Sequence, residues 1–263
     1  MKEQESSTVL VERYDGKGLI TINRPKVLNA IDWPTFFQLQ SALDELIADD
    51  QIRVIILTGA GDRSFISGGE IGEELKMDGL ESYRWSLTGH KLCRTIEQSP
   101  KPVIAAVNGY ALGGGFEFCL ACDFRICSDN AKFGAPESKL GVICGFGGNI
   151  RLPRLVGKGK AKEMLMTGKM IDAQEAYRIN LVNQVVPQGQ LMEAVDAFCV
   201  DLLNKNTIVL DLIKRAVDYG METDLQTAAQ FEAGLFGVVS STHDKVEGMT
   251  AFLEKRAPTW ENN

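Results

Sequence analysis

The chain has 263 residues, enough to bury a sizeable hydrophobic core in one or two domains. Its formal net charge of −7 argues against a nucleic-acid-binding surface. The N-terminus lacks the apolar core of a signal peptide, and no apolar run approaches the ~20 residues of a membrane helix, so we expect a cytoplasmic protein without membrane contact.

The first elements are predicted to be a β-hairpin and a helix. Apolar residues at 9–11 and 19–22 flank an Asp-Gly pair, a pattern typical of a hairpin. Asp32 and Pro34 then indicate the start of a helix, as an N-cap and a first-turn proline. Its apolar side chains recur at helical spacing and are expected in the core: Phe36, Phe37, Leu39, Leu43, Leu46 and Ile47.

Two continuous apolar runs, 54–58 and 102–107, are typical of buried strands, and glycines follow both of them. Gly68 and Gly69 come after the first run, and glycines at 113–115 come after the second. Glycine N–H groups can approach a ligand closely, and the first N–H groups of a helix have no partner inside it. Two such donors aimed at one carbonyl oxygen would stabilise negative charge that develops there.

Two glutamates lie in or near the second glycine segment. Glu117 is within one helical turn of the glycines at 113–115, in a segment whose apolar residues predict a helix packed on the core. Glu137 follows in a Gly-Ala-Pro-Glu segment. Triple glycine can also serve close helix packing alone, and a glutamate in a first turn can merely complement the helix dipole. The existence of two glycine segments favours an active site that combines a carboxylate with oxyanion donors.

The remaining elements follow from apolar patterning. We expect a helix at about 80–98, a strand at 124–127, a short segment at 132–134 that presents the second glutamate, and a strand at 181–186. From about 206 to 260 the pattern is helical throughout. The apolar side chains along one side there are predicted to cover the core or a neighbouring subunit: Leu225, Ala228, Phe231, Leu235 and Phe236. The alternation of strand and helix predicts an α/β fold with right-handed crossovers.

Neither a metal nor a nicotinamide cofactor is expected. The chain has six cysteines and two histidines, and Cys119-x-x-Cys122 lacks a second cysteine pair or a histidine nearby in sequence. The cysteines are therefore predicted to be small buried side chains. The glycine-rich segment 145–148 lacks the strand–helix spacing of a dinucleotide-binding fingerprint.

An ordered set of short motifs resembles the enoyl-CoA hydratase (crotonase) family over about residues 9–256. In chain order the motifs are Asn23-Arg24-Pro25-Lys26, Leu57-Thr58-Gly59, Phe65 to Glu70, Ala106-Val107-Asn108-Gly109, Gly113 to Glu117, Phe133 to Gly141 and Gly145-Phe146-Gly147-Gly148. Each motif is modest, but their ordered combination is specific. The chain looks most like the short-chain enoyl-CoA hydratases and 3-hydroxybutyryl-CoA dehydratases of that family.

The resemblance implies an α/β crotonase-type spiral of ββα turns with a C-terminal helical region. Residues 1–205 would form the spiral core with the acyl-CoA site, and residues 206–263 a helical region for core covering and oligomerisation. Family members assemble as trimers that pair into hexamers. Coenzyme A is part of the acyl-CoA thioester substrate, and no further cofactor is implied.

By the same matching, Glu117 and Glu137 are the catalytic carboxyls, and Gly69 and Gly114 supply the oxyanion N–H groups. The implied CoA and substrate contacts, of which the last three would come from the tail or a neighbouring subunit, are Lys26, Val27, Leu28, Ser67, Phe236, Phe252 and Lys255. The implied reaction is reversible syn addition of water across the 2,3 double bond of a 2-enoyl-CoA.

Two other hypotheses stay open. A double-bond isomerase would shuttle a proton without adding water, although many isomerases keep only one of the two carboxylates. A catalytically inactive binding protein, like family relatives associated with RNA, would need a lysine-rich exposed helix. The predicted helix at 34–49 is acidic instead. Cys144, Asn149 and Glu70 depart from the residues that are common in the family. They lie beside the acyl pocket or its loops, and so leave open a branched, cyclic or trimethylammonium-bearing acyl group.

Overall fold

The computed structural model of the chain describes residues 7–262. The residues before Ser7, which the signal-peptide assessment concerned, lie outside the described part. None of the described helices is both long and apolar enough to cross a membrane.

The described strands are β1 (Val9–Tyr14), β2 (Lys17–Ile22), β3 (Val54–Gly59), β4 (Ser64–Ile66), β5 (Val103–Val107), β6 (Tyr110–Leu112), β7 (Phe124–Ser128), β8 (Lys132–Gly134), β9 (Ile171–Asp172) and β10 (Gln184–Val186). The α-helices are α1 (Trp33–Ala48), α2 (Ile71–Glu74), α3 (Gly79–Glu97), α4 (Gly114–Ala121), α5 (Gly148–Val156), α6 (Lys158–Thr167), α7 (Ala173–Arg178), α8 (Leu191–Leu203), α9 (Thr207–Gly220), α10 (Leu225–Ser240) and α11 (His243–Glu254). Two short 3₁₀ helices span Pro25–Val27 and Pro136–Leu140.

The strands form two sheets, and from β3 to β8 successive strands alternate between them. The larger sheet has the order β1-β2-β3-β5-β7-β10, and only its β1–β2 hairpin is antiparallel. The smaller sheet has the order β4-β6-β8-β9, in which β9 alone is antiparallel. The pairs β3–β4, β5–β6 and β7–β8 thus each give one strand to each sheet. This repeat is the spiral that the resemblance implied, and the α/β fold class is confirmed.

Both faces of the larger sheet are buried at β3 and β5, which explains the continuous apolar runs of these two strands. Side chains alternate between the faces, so Ile55 and Leu57 belong to one apolar cluster. Val54 and Ile56 belong to the other, together with residues of α8. All six cysteines are free and buried, as predicted.

Helix α1 begins as predicted but includes one error. Asp32 caps it, because its side chain accepts a hydrogen bond from the Thr35 N–H at 2.9 Å. Phe36 and Leu39 are buried, but the prediction that Phe37 lies in the core is wrong, since Phe37 is 60% exposed. Successive helix residues are ~100° apart, so the turn that buries Phe36 directs Phe37 outward.

The predicted strand at 181–186 is shorter in the structure. Only β10 pairs, because the N–H groups of Leu181 and Val182 donate to the Ala176 carbonyl oxygen at the end of α7. The Leu181 carbonyl in turn accepts a hydrogen bond from Arg125 Nε at 2.7 Å. The backbone polar groups before β10 are therefore used by a helix end and an arginine.

The C-terminal region is helical through α11, and its last described residues have no regular structure. Helix α9 is tied to the core by Lys214, whose Nζ donates to Asp123 Oδ2 at 2.9 Å and to the Ile96 carbonyl at 3.0 Å. No residue of α10 is buried, and Phe236 is 71% exposed. Leu225 and Phe236 thus stay uncovered within the described chain. Ala228, Phe231 and Leu235 are half-buried, and the Phe231 ring centroid lies 4.4 Å from that of Tyr219 in α9.

Candidate active site

A cavity of about 430 Å³ lies where the two glycine segments meet the loop that leads into α5. Ser67, Gly69, Gly114, Glu117 and Glu137 all line it. These residues come from segments that are distant from one another in the chain, so the fold brings together the glutamates and glycines that the sequence singled out.

Glu117 is held in a fixed orientation at the buried end of the cavity. It lies in the first turn of α4 and is 1% exposed. Its Oε1 accepts hydrogen bonds from the Phe146 N–H at 2.8 Å and the Gly148 N–H at 2.6 Å. A Cβ on Gly148 would lie 3.2 Å from Glu117 Cγ and 3.0 Å from Cys144 Sγ, so the lack of a side chain favours this close approach. The glycine-rich sequence at 145–148 did not reveal that its N–H groups hold this carboxyl.

Burial raises the pKa of Glu117 to about 7. The nearby Glu137 charge also raises this pKa, whereas the N–H groups of Gly148 and Phe146 favour the carboxylate and oppose the shift. A carboxyl whose pKa lies near neutrality can both take and give a proton under ordinary conditions.

Glu137 lies across the cavity in the second 3₁₀ helix and is partly exposed. Burial raises its pKa, and a hydrogen bond with the Cys144 thiol opposes that shift. Its Oε2 is buried and has no hydrogen-bond partner among the described residues. A carboxyl oxygen of Glu137, one of Glu117 and the Cys144 sulfur lie within 4.8 Å of one another. The two carboxyls are thus close enough to act on one small molecule between them.

The Cys144 thiol lies close to both carboxyls, and so is nearer to them than the sequence had suggested. Burial and both glutamate charges raise the pKa of its thiol, which stays protonated and neutral. These three groups are close enough together to be candidate metal ligands. Glu117 Oε1, however, already accepts two hydrogen bonds from N–H groups. A metal would also bind the thiolate, whereas the Cys144 thiol is neutral. The donor set therefore favours proton transfer over metal binding.

The N–H groups of Gly69 and Gly114 are available to a ligand. Within residues 7–262, neither donates a hydrogen bond to a protein acceptor, and Gly114 is the first residue of α4. The two segments touch, since a Cβ on Gly68 would lie 3.9 Å from both Gly113 Cα and Gly114 N. Gly68 and Gly113 have φ of 118° and 51°, conformations that side chains disfavour. The geometry is suitable for two donors on one oxygen, which is the predicted role.

Of the other residues predicted to contact CoA or substrate, some line the cavity and some do not. Val27 lines the cavity, whereas Lys26 and Leu28 adjoin it in sequence without lining it. In the described chain Phe252 is 82% exposed. Phe236 and Lys255 are likewise exposed, and none of these three tail residues lines the cavity. Their contact with CoA, from the tail or from a neighbouring subunit, stays a prediction.

The other departures from the family have visible roles. Glu70 lines the cavity, and its carboxylate lies 3.6 Å from Arg24 Nη1. Asn149 does not line it, since its Nδ2 donates to the Cys144 carbonyl at 3.0 Å. Asn149 therefore steadies the loop that carries the thiol.

The cavity also has an aromatic wall and a third carboxyl that the sequence did not predict. Trp85 and Phe146 line the cavity with their ring centroids 5.7 Å apart, and Phe36 packs edge-on against both. Glu74, at the end of α2, also lines the cavity. No pattern in one sequence marks these residues, because they meet only through tertiary packing.

Comparison with known proteins gives a consistent result. The family model described as enoyl-CoA hydratase/isomerase matches residues 12–263. A crotonyl-CoA hydratase of Syntrophomonas wolfei is 44% identical over 248 residues, covering 94% of this chain and 95% of the relative. A short-chain-enoyl-CoA hydratase of Clostridium acetobutylicum is 43% identical over 252 residues, covering 96% and 97%. The crystal structure of an enoyl-CoA hydratase from Bacillus anthracis has a TM-score of 0.94 and 37% identity, covering 98% of this chain and 100% of that one.

Proposed function

This chain belongs to the enoyl-CoA hydratase/isomerase family, and we propose that it reversibly adds water across the 2,3 double bond of a 2-enoyl-CoA. It is thus a hydro-lyase, acting as a dehydratase in the reverse direction. The observation that carries the proposal is the pair of carboxyls, Glu117 and Glu137, facing one cavity beside two unused N–H donors.

In the proposed mechanism the thioester oxygen lies between the N–H groups of Gly69 and Gly114. These donors stabilise the negative charge that develops on that oxygen, which makes C3 electrophilic. Glu117 takes a proton from water as the water oxygen bonds to C3, and Glu137 gives a proton to C2. Hydration therefore ends with the proton on Glu117, which is the form that starts dehydration.

The protonation state of Glu117 in the free protein bears on the direction of the reaction. Glu117 is the more buried carboxyl and holds a proton up to about pH 7 in the free protein. With Glu137 ionised, this form is the one set for dehydration, and hydration requires the proton to move to Glu137. Water between the two carboxyls would allow that exchange, since one proton is shared by the pair in both directions.

We expect the rate to depend on pH because the pair needs one proton. As pH rises through about 7, the free protein loses that last proton, so kcat/KM should fall about tenfold per pH unit above this point. The measurement is kcat/KM for crotonyl-CoA across a pH series at constant ionic strength, with circular dichroism as a check on folding. A kcat/KM that is flat or rising between about pH 7 and 9 would contradict the assignment of the shared proton.

The role of the Gly114 N–H is tested by a matched pair of substitutions. A Cβ at this position would lie 2.6 Å from Phe146 Cε2, so any side chain disturbs the aromatic wall. Gly114→Ala and Gly114→Pro share that disturbance, but only proline removes the N–H, at a helix position that tolerates it. We expect Gly114→Pro to have a kcat at least about 100-fold below that of Gly114→Ala. Equal rates in two folded variants would remove this donor from the mechanism.

The oligomeric assembly and the cellular location are also proposals. We propose a homo-oligomer, a trimer or a pair of trimers, in which the exposed apolar side of α10 is covered and Phe236, Phe252 and Lys255 reach the CoA of the same or a neighbouring subunit. The exposure of Phe236 and Phe252 supports this. The expected cytoplasmic location remains a prediction.

The function is tested by incubating the purified protein with a panel of 2-enoyl-CoA thioesters. Hydration removes the absorbance of the conjugated thioester and gives a 3-hydroxyacyl-CoA that mass spectrometry identifies. An isomerase would instead move the double bond without a gain in mass. Hydration of at least one short-chain thioester is the expected result, and its absence across the panel would overturn the proposal.

A further inference from the structure

We propose that Glu74 limits the length of the acyl chain, so that the cavity selects short 2-enoyl groups and disfavours long apolar ones. The inference rests on the proposed function and adds a specificity-determining residue to it. Glu74 is assigned no proton transfer above, although its charge adds to burial in raising the pKa of Glu137.

The Glu74 carboxyl lies against the proposed oxyanion glycine. A Cβ at Gly69 would overlap Glu74 Oε1 and would lie 3.4 Å from Trp85 Cζ2. The absence of a side chain at position 69 therefore makes room for the carboxyl beside the tryptophan. This places Glu74 on the wall of the cavity next to the point where the thioester would bind.

Glu74 is half-buried without a cation to balance it. None of the ion pairs found among the described residues includes Glu74, and a hydrogen bond with the Trp85 side chain favours its carboxylate form. Burial raises the pKa of the Glu74 carboxyl, as expected where part of its hydration is already lost. The rest of its hydration depends on water that enters through the cavity.

Apolar side chains form much of the cavity lining that Glu74 shares. The lining residues that would contact a hydrocarbon chain are Met77, Trp85, Leu140, Val142, Ile143 and Phe146. Such a wall alone would favour longer chains, since each added CH₂ gains from burial. Glu74 is the residue that opposes this trend.

The physical reason is desolvation. A long alkyl tail that passes Glu74 would displace the water on its carboxyl and offer no hydrogen bond in return, which is unfavourable for a polar group and more so for a charged one. A crotonyl group has only one carbon beyond the double bond and leaves that water in place. We therefore expect the wild-type protein to favour crotonyl over octenoyl thioesters by roughly tenfold or more.

The test compares the ratio of kcat/KM for 2-octenoyl-CoA to that for crotonyl-CoA in four proteins. Glu74→Leu should raise this ratio about tenfold or more over the wild type, because leucine needs no water. Glu74→Gln, which keeps a polar amide, should raise it less. Glu73→Leu is the matched control, since it removes a neighbouring carboxylate of α2 that does not line the cavity, and its ratio should match the wild type.

The ratio isolates chain-length selection from any general loss of activity. If folded Glu74→Leu keeps the wild-type ratio within about twofold, or if Glu73→Leu shifts it equally, the inference is overturned while the proposed function stands. If the wild type hydrates neither thioester, the proposed function fails and the inference with it.

Discussion

Glu137→Gln is expected to lower hydration of crotonyl-CoA by roughly a hundredfold or more while CoA-ester binding stays near normal. Glutamine has the shape of glutamate but cannot deliver a proton to C2. The buried Oε2 of Glu137 has no protein partner in the described chain, so the substitution breaks no hydrogen bond there. The readouts are turnover, followed by the absorbance of the conjugated thioester, and affinity for a non-reactive acyl-CoA, measured by calorimetry.

A matched control separates this effect from the loss of a negative charge. Glu193→Gln removes an exposed carboxylate in α8, far from the cavity in sequence, and its turnover should equal that of the wild type. Near wild-type turnover of a folded Glu137→Gln protein would remove the carboxyl from the proton transfer to C2.

Glu117→Gln is expected to reduce hydration as severely, but to retain part of the exchange of the C2 proton with solvent. The amide oxygen of the introduced glutamine can still accept the hydrogen bonds from Phe146 and Gly148, so the loop should keep its position. Glutamine cannot take a proton from water, and attack at C3 should fall by roughly a hundredfold or more. Exchange at C2 depends on Glu137 and the oxyanion donors, which this variant keeps.

The measurement follows deuterium at C2 of a saturated acyl-CoA by NMR, alongside hydration of crotonyl-CoA. Glu117→Ala is a useful comparison, because it leaves the N–H groups of Phe146 and Gly148 without their acceptor and should also lower stability. Loss of hydration and exchange in strict proportion in Glu117→Gln would show that the two carboxyls act as one unit.

The sequence predicted those parts of the fold in which local pattern and tertiary environment agree. Strands β3 and β5 were identifiable because burial on both faces demands an unbroken apolar run. Helix α1 was identifiable from its cap, yet Phe37 was misplaced because an apolar side chain just beside the buried stripe looks the same in sequence. The strand predicted at 181–186 was too long. Its first residues bond to a helix end and to an arginine, and these partners are set by tertiary structure.

The candidate site shows the same limit. Two catalytic candidates and two glycines could be named from motifs, and the fold brings all four to one cavity. The N–H groups that orient Glu117, the thiol close to both carboxyls and the third carboxyl at Glu74 depend on contacts between distant segments. A single sequence holds no periodic signal for such contacts, so they became visible only in three dimensions.

The most direct test of the two-carboxyl hydratase is a reaction with crotonyl-CoA in water enriched in both oxygen-18 and deuterium. Mass spectrometry and NMR then locate the heavy atoms in the product. We predict one heavy oxygen at C3 and one deuterium at C2, with formation of this product strongly slowed in Glu117→Gln and Glu137→Gln. A product that carries deuterium but no heavy oxygen, or labelling that is unchanged in both variants, would contradict hydration by this pair.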